Sequence, residues 1–339
     1  GSQRWFLPLW FDANFTTEDA AIGSTRLGCP TAVTSAMRSG QPAYLVGVDV
    51  FDFELVQILD VDGAGVILNA PTTKFWPAGS RIHPACIARL TDQPTLAKQS
   101  DRVVTSEVRF QAVDAIPDFG DAASSSTRLP DLYRGFAVMP FAPDESQTLT
   151  LDYERLLTVL DNQTSIPRQI DQSGRTFPIQ QYSWVITGRD EHLQFDALLQ
   201  LLRGRAVPIW MPTFMQDFVI AADIGSGATA IVVKRSGFAF AGGPRPDRQD
   251  IMIETDGETY YRRITDVASS SGGTETLVLD AAIPVAVAQR KVHRICFMLL
   301  MRLNQDTIQI QHTTDNEGVS TILAPFRSAP DTRVPLSAF

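Results

Sequence analysis

The sequence predicts a mainly β protein, a β-rich α+β fold in which two related small β-barrel or β-sandwich modules flank a middle segment with the one helix. Three observations predict it. The first is an internal echo. Phe6-Leu7-Pro8-Leu9-Trp10-Phe11 returns as Ala206-Val207-Pro208-Ile209-Trp210-Met211, and Ile58, Asp60 and Val61 return as Ile264, Asp266 and Val267. Val66-Ile67-Leu68-Asn69-Ala70 returns as Leu277-Val278-Leu279-Asp280-Ala281. Arg81-Ile82-His83-Pro84-Ala85-Cys86 returns as Lys291-Val292-His293-Arg294-Ile295-Cys296, and Ala88-Arg89-Leu90 as Met301-Arg302-Leu303. Each match is weak alone; their shared order carries the weight, and a drifting offset is what loop insertions between diverged copies produce. The second observation is a series of short runs rich in Val, Ile, Thr and aromatics, separated by turn signals. The third is that a single segment has helical periodicity.

Along the chain, residues 1–117 form the first module. Ala43–Val48 and the alternating Phe51, Phe53 and Leu55 read as strands, and Asp62-Gly63 marks a hairpin turn before Gly65–Asn69. Residues 118–131 are a linker, with Gly120–Thr127 small and polar throughout. The middle, 132–205, has no twin. Phe136–Phe141 reads as a strand, and Leu149, Leu151 and Tyr153 alternate with polar residues in a long strand running to about Leu160. A loop carrying Asn162, Pro167 and Gly174 follows, then a return strand Phe177–Thr187. The helix comes next, with Asp190 as N-cap, an apolar face of Leu193, Ala197, Leu198, Leu201 and Leu202, and Gly204 to stop it. Residues 206–330 form the second module, with hairpin turns expected at Glu254–Glu258 and Ser270–Gly273, and 331–339 form a C-terminal tail.

With 339 residues the chain exceeds one ordinary core. No apolar run is long enough to span a membrane. The net charge of −9, from 29 basic and 38 acidic residues, argues against nucleic-acid binding, which requires clustered Lys and Arg, yet suits a surface past which DNA slides. Three cysteines form no disulfide framework and read as separate buried thiols from a reducing cytoplasm.

Candidate chemistry is sparse. The repeated His83/Cys86 and His293/Cys296 offer zinc-ligand types, but residues three apart on a strand face opposite ways, so no metal site is expected. No Gly-x-Ser-x-Gly elbow is present, and Ser183 beside Trp184 reads as a packing position. The carboxylates Asp12, Glu18 and Asp19, and Asp152 with Glu154, lack a convincing catalytic setting. Gly225-Ser226-Gly227 and Gly242-Gly243-Pro244 lack the context of phosphate loops and read as turns. Trp5, Trp10, Phe75, Trp76 and Trp210 could form a sugar platform, although the matched Trp10 and Trp210 point to module packing. The expectation is a non-enzyme without cofactors.

The stretch Trp184-Val185-Ile186-Thr187-Gly188, then Phe195 through Arg203-Gly204-Arg205 to Pro208-Ile209-Trp210-Met211-Pro212, resembles the distal tail and minor tail (baseplate) proteins of long-tailed bacteriophages and gene transfer agents. The resemblance covers residues 136–215. It implies a tail-tube-like domain at 132–205 that assembles with itself into a ring, six subunits or alternatively three, in the virion tail tip after assembly in the bacterial host cytoplasm. The implied partners are the tail tube, tape-measure and baseplate hub proteins, with DNA passing through without specific binding. Oligomer contacts are expected at Leu149, Leu151, Tyr153, Trp184, Arg203 and Arg205. A carbohydrate- or receptor-binding adsorption protein with two β modules is the alternative.

Overall fold

A computed structural model describes residues 4–49, 51–113, 130–144, 146, 150–155, 157–161, 163, 166, 168–171, 176–269, 273–314 and 318–329. The protein is mainly β, with one α-helix. Ten strands precede the linker: β1 (Trp5–Pro8), β2 (Asn14–Phe15), β3 (Arg26–Gly28), β4 (Pro42–Val46), β5 (Phe53–Asp62), β6 (Gly65–Leu68), β7 (Arg81–Leu90), β8 (Thr95–Lys98), β9 (Val104–Glu107) and β10 (Phe110–Ala112). The middle contains β11 (Leu132–Tyr133), β12 (Phe136–Ala137), β13 (Thr150–Glu154), β14 (Leu157–Leu160), β15 (Arg168–Asp171), β16 (Phe177–Thr187) and helix α1 (Gly188–Leu202). Then come β17 (Ile209–Pro212), β18 (Ala228–Lys234), β19 (Asp250–Thr255), β20 (Thr259–Ser269), β21 (Thr274–Ile283), β22 (Val292–Leu303), β23 (Gln309–His312) and β24 (Val319–Ser328). Among the described strands no sheet closes into a barrel. The chain divides into two compact units, Gly1–Leu129 with Ile186–Gln200 and Ile310–Thr321, and Pro130–Val185 with Leu201–Gln309 and Ile322–Phe339.

In the first unit the sheet runs β1-β7-β4-β5-β6-β3, with β2 and β10 also on β7. Period-two patterning sends Ala43 and Leu45 of β4 inward, where they meet Leu27, Val56, Ile58, Val66, Leu68, Trp76 and Ile82 in one core. The turn after β5 forms where expected, because Asp62 Oδ1 accepts the Ala64 and Gly65 amides at 2.9 and 3.0 Å. Glu54 pins the following loop by accepting from Thr73 N, Thr73 Oγ1 and Trp76 Nε1 at 2.7–2.8 Å. The helix starts two residues before the expected Asp190 cap. Glu191 reaches back and accepts from the amide and hydroxyl of Thr187 at 2.8 and 3.1 Å, which ties the residue before the helix to its first turn. The helix stops as expected, with Arg203 and Gly204 left-handed at φ 48° and 64°.

The face of α1 turned into this unit is polar. Arg189 donates to Asn14 Oδ1 at 3.0 Å and to Ala13 O, and pairs with Asp12 at 3.4 Å. One turn on, His192 Nδ1 meets Gly188 O at 2.6 Å, its Nε2 meets Ser320 Oγ at 2.6 Å, and Ser320 Oγ meets His312 Nδ1 at 2.7 Å. Since a carbonyl only accepts, His192 Nδ1 carries a proton and donates it to the Gly188 carbonyl. His312, stacked on Phe11 at 4.3 Å, has its pKa lowered by burial and by His192.

In the second unit the sheet runs β13-β16-β24-β22-β19-β20-β21-β18, with β17 on β22; β23 falls almost wholly in the first unit, where it pairs with the start of β24. Phe218, Ile231, Ile251, Ile253, Ile264, Leu277, Leu279 and Ile295 form its main core. Glu275, 1% exposed, accepts from Ser236 N, Ser236 Oγ, Phe238 N and Ala239 N. Burial alone would raise its pKa, but these bonds prevail and lower it. The stability it contributes is therefore complete above the unfolded carboxylate pKa and is lost as pH falls through the lower folded value. Glu275→Gln is expected to cost about 2–3 kcal/mol near neutral pH and less in acid, read from denaturation midpoints at both. An equal loss at the two pH values would rule out the ionised acceptor.

The ladder registers align the two modules strand by strand and correct the alignment expected from the sequence. In each module six strands follow one order, β1-β7-β4-β5-β6-β3 and β17-β22-β19-β20-β21-β18. Ile58 pairs with Leu68 and Asp60 with Ile67 across a bulge; Ile264 pairs with Leu279 and Asp266 with Val278 across the same bulge. Asp60 Oδ1 accepts the Val61 amide at 2.9 Å, and Asp266 Oδ1 accepts the Val267 amide at 2.8 Å. Ile58 N donates to Gln41 O, and Ile264 N to Gln249 O. Those expected matches hold. In the outer strands Ala88-Arg89-Leu90 does match Met301-Arg302-Leu303, since Ala88 lies opposite Trp5 as Met301 lies opposite Ile209; the other two matches there do not hold. Tyr44 lies opposite His83 as Met252 lies opposite Cys296, so His83 corresponds to Cys296 and the two His-x-x-Cys runs are not equivalent. Phe6 opposite Ile87 corresponds to Trp210 opposite Leu300, and Pro8 to Pro212. Leu9 N donates to Pro84 O as Thr213 N donates to Phe297 O, which matches Trp10 with Phe214. Similar residue strings had slid along the strands; the hydrogen bonds fix their true partners.

Candidate assembly interface

Strand β13 is the last in its sheet. It pairs on one side with β16, from Thr150 opposite Gln181 to Glu154 opposite Phe177, and no described strand pairs with its other side. An open edge presents a row of backbone donors and acceptors to any incoming strand. Tyr153, 68% exposed, stands on it. The expected strand to Leu160 does not run through: it breaks after Glu154, and β14 folds against β15 as a separate two-stranded arm. The sequence reading took β15 for loop. Its Ile170 and the preceding Ile166 were the signal, since Leu157, Val159, Leu160, Ile166 and Ile170 are all exposed on this arm. An isolated hairpin is marginal in water, and apolar side chains left there gain by being covered. A second such arm, β8 with β9, stands in the first unit with Leu96 and Val104 exposed.

The expected contact residues divide. Leu149 lies outside the described residues. Leu151 is placed by its backbone, opposite Gln180 on the edge strand. Arg203 is exposed at the left-handed turn that ends α1. Arg205 is exposed but engaged in its own chain, gripping Asp306 through Nε at 3.0 Å, Nη2 at 2.9 Å and its backbone amide at 3.0 Å. Trp184 has no exposed surface; it stacks on Tyr182 at 5.5 Å, meets Phe326 edge-on and donates from Nε1 to Phe141 O at 3.1 Å. Its observed place is the core of the second unit.

The other candidates settle in structural places. Asp12 is buried against Arg189, Asp19 accepts the Ala78 amide, and Ser183 is buried with its carbonyl accepting Asp144 N. Cys29, Cys86 and Cys296 are free and buried, as expected. No group of three or more His, Cys, Asp or Glu placed to hold a metal occurs among the described residues. Of the proposed aromatic platform, Trp76 and Trp210 are buried, whereas Trp5, Trp10 and Phe75 are exposed, so the packing role expected of Trp10 belongs to Trp210 alone. No described helix is long and apolar enough to cross a membrane. Set against known proteins, the chain matches no family model and no curated protein.

Proposed function

We infer that this chain is a non-enzymatic structural subunit of a phage tail tip, a distal tail protein that closes into a ring of six, or alternatively three, and links the tail tube to the baseplate. The observation that carries this is the open edge of β13 beside the apolar arm β14–β15. Both are features that a lone chain leaves exposed and that a neighbour would cover. Identical subunits meeting edge to arm make a heterologous contact, and such a contact closes into a ring when its rotation allows. The resemblance of residues 136–215 to tail proteins supplies the location and the partners, namely tail tube, tape-measure and baseplate hub proteins. The charge of −9 suits a channel that DNA crosses without being held.

The test is assembly. Concentrated protein, alone or with a tail-tube protein, is expected to give rings in negative-stain images and multimers in native mass spectra. Leu157→Asp with Val159→Asp is expected to leave monomers with an unchanged melting temperature, because both side chains are exposed. Rings that persist in the double variant, or wild-type protein that stays monomeric under both conditions, would end this proposal.

A further inference from the structure

The two modules share a strand order but differ in what lies on their outer face. In the second module that face is covered. Trp210, Met252, Cys296, Met298 and Leu300 form an apolar cluster with Tyr133 and Val138, and Phe136, Phe214 and Tyr261 pack against it. The cover is the segment Leu132–Met139. It adds to the free edge of β17 through a parallel bridge between Val138 and Trp210, with Met139 N donating to Trp210 O at 2.9 Å and Trp210 Nε1 donating to Tyr133 O at 2.9 Å.

The register equivalences identify the same face in the first module. Trp210 corresponds to Phe6, Met252 to Tyr44 and Leu300 to Ile87, while Phe214 corresponds to Trp10. Tyr261 corresponds to Leu55, since Tyr44 pairs with Leu55 as Met252 pairs with Tyr261. Here Phe6 is 45% exposed, Trp10 61% and Leu55 43%. Among the described residues no segment runs beside β1, the last strand of its sheet. The Phe6 carbonyl, counterpart of the Trp210 carbonyl that takes the Met139 amide, accepts a long 3.3 Å bond from the Tyr44 hydroxyl. An aromatic face beside an open strand edge, in a module whose twin has both covered, is a seat whose occupant is missing.

We propose that the β1 edge and the Phe6–Tyr44–Leu55 face of the first module bind an extended apolar segment of a different protein, which pairs in parallel with β1 as Leu132–Met139 pairs with β17. The chemistry of the seat separates this occupant from the chain's own covering segment. In the second module Tyr133 Oη donates to Asp250 at 2.8 Å, Asp250 being held by Arg263, and Tyr261 Oη donates to Asp131 at 2.9 Å. The first module has Pro42, Gln57 and Leu55 at the places of Asp250, Arg263 and Tyr261. The seat therefore offers no carboxylate to a tyrosine hydroxyl, and its own Tyr44 hydroxyl is turned to the Phe6 carbonyl, so the occupant carries aliphatic or phenylalanine side chains. A second copy of this chain is disfavoured, because among the described residues the segment of this kind, Leu132–Met139, is tied into its own second unit by those polar bonds.

The probe is a fluorescent synthetic peptide of residues 130–140 carrying Tyr133→Phe, titrated into the full-length chain and into the Leu157→Asp/Val159→Asp chain. Saturable binding is expected in both, weakened at least about tenfold by Phe6→Ser and by Leu55→Glu. Equal binding with and without the arm substitutions keeps this result separate from the ring proposal. Absence of saturable binding, or binding indifferent to Phe6 and Leu55, overturns the seat. Loss of self-association on Leu55→Glu, without peptide binding, would assign the face to a second copy and overturn the proposed occupant.

Discussion

Arg189→Met is expected to lower the unfolding free energy of the first unit by about 3–5 kcal/mol, because it strands a buried carboxylate. The Asp12 and Arg189 side chains are 0% and 8% exposed. With the guanidinium gone, Asp12 keeps the Ala36 amide at 2.6 Å and Asn14 Nδ2 at 3.1 Å, too little to replace its counter-charge. Ala13 O and Asn14 Oδ1 lose their donor as well. Methionine fills much of the volume, so the loss reports charge and hydrogen bonding more than packing. The effect is also expected to grow with pH. Burial, and then the charge of Asp12, raises the Asp196 pKa to about 7. A raised carboxyl pKa favours the folded state at low pH, and that stability is lost as pH rises toward the folded value. Near pH 8 the variant would hold two ionised carboxylates where the parent has Arg189 beside Asp12; near pH 5.5 Asp196 is neutral. Denaturation followed by the circular dichroism of α1 at both pH values measures this. Adding Asp12→Leu to Arg189→Met should recover most of the loss, and failure to recover it would mean that the pair is not what holds the helix.

The main features were legible because they rest on local chemistry. Asp62-Gly63 formed its turn, Gly204 stopped its helix, and the apolar run at Ala43 marked β4, whereas the alternating Phe51, Phe53 and Leu55 are exposed and the core takes Val56 and Ile58 instead. The duplication was legible through Ile58, Asp60 and Val61, where a bulge fixes both the residue types and their spacing. It was misread in the first half of β7 and β22, where the shared His-x-x-Cys pattern drew the two strings three residues out of register. The Asp190 cap was misplaced because the helix starts at Gly188, where Glu191 reaches back to the Thr187 amide. The arm β14–β15 was missed because a hairpin whose apolar side chains are exposed lacks the one-sided pattern that burial imposes. Trp184 was assigned to the surface from resemblance alone; the aromatic neighbours that bury it, Tyr182 and Phe326, are far apart in sequence.

Gly65→Ala is expected to cost at least about 3 kcal/mol, since a side chain there has neither space nor an accessible backbone geometry. A Cβ on Gly65 would lie 2.0 Å from Leu27 O and 2.6 Å from Cys29 N, and its φ is +151°. Both obstacles are backbone, so relief requires β3 to part from β6, which they now join through Gly28 opposite Gly65. The duplication explains why this position is singular. At the same rung the second module has Val232 opposite Thr276, in an ordinary ladder that runs on to Lys234. In the first module β3 ends at that rung, and the chain turns into the 3-10 segment Pro30–Thr34, bringing Cys29 N to Ala64 O at 3.2 Å. The glycine is thus required by the early exit of β3, a feature of one copy and not of the shared fold. Gly63→Ala, two residues away with nothing within 4 Å of its Cβ, is the control and should change stability by less than about 0.5 kcal/mol. Thermal melts of the two variants would decide the matter: similar small shifts would mean that the first module can reshape its β3–β6 junction into the form its twin already has.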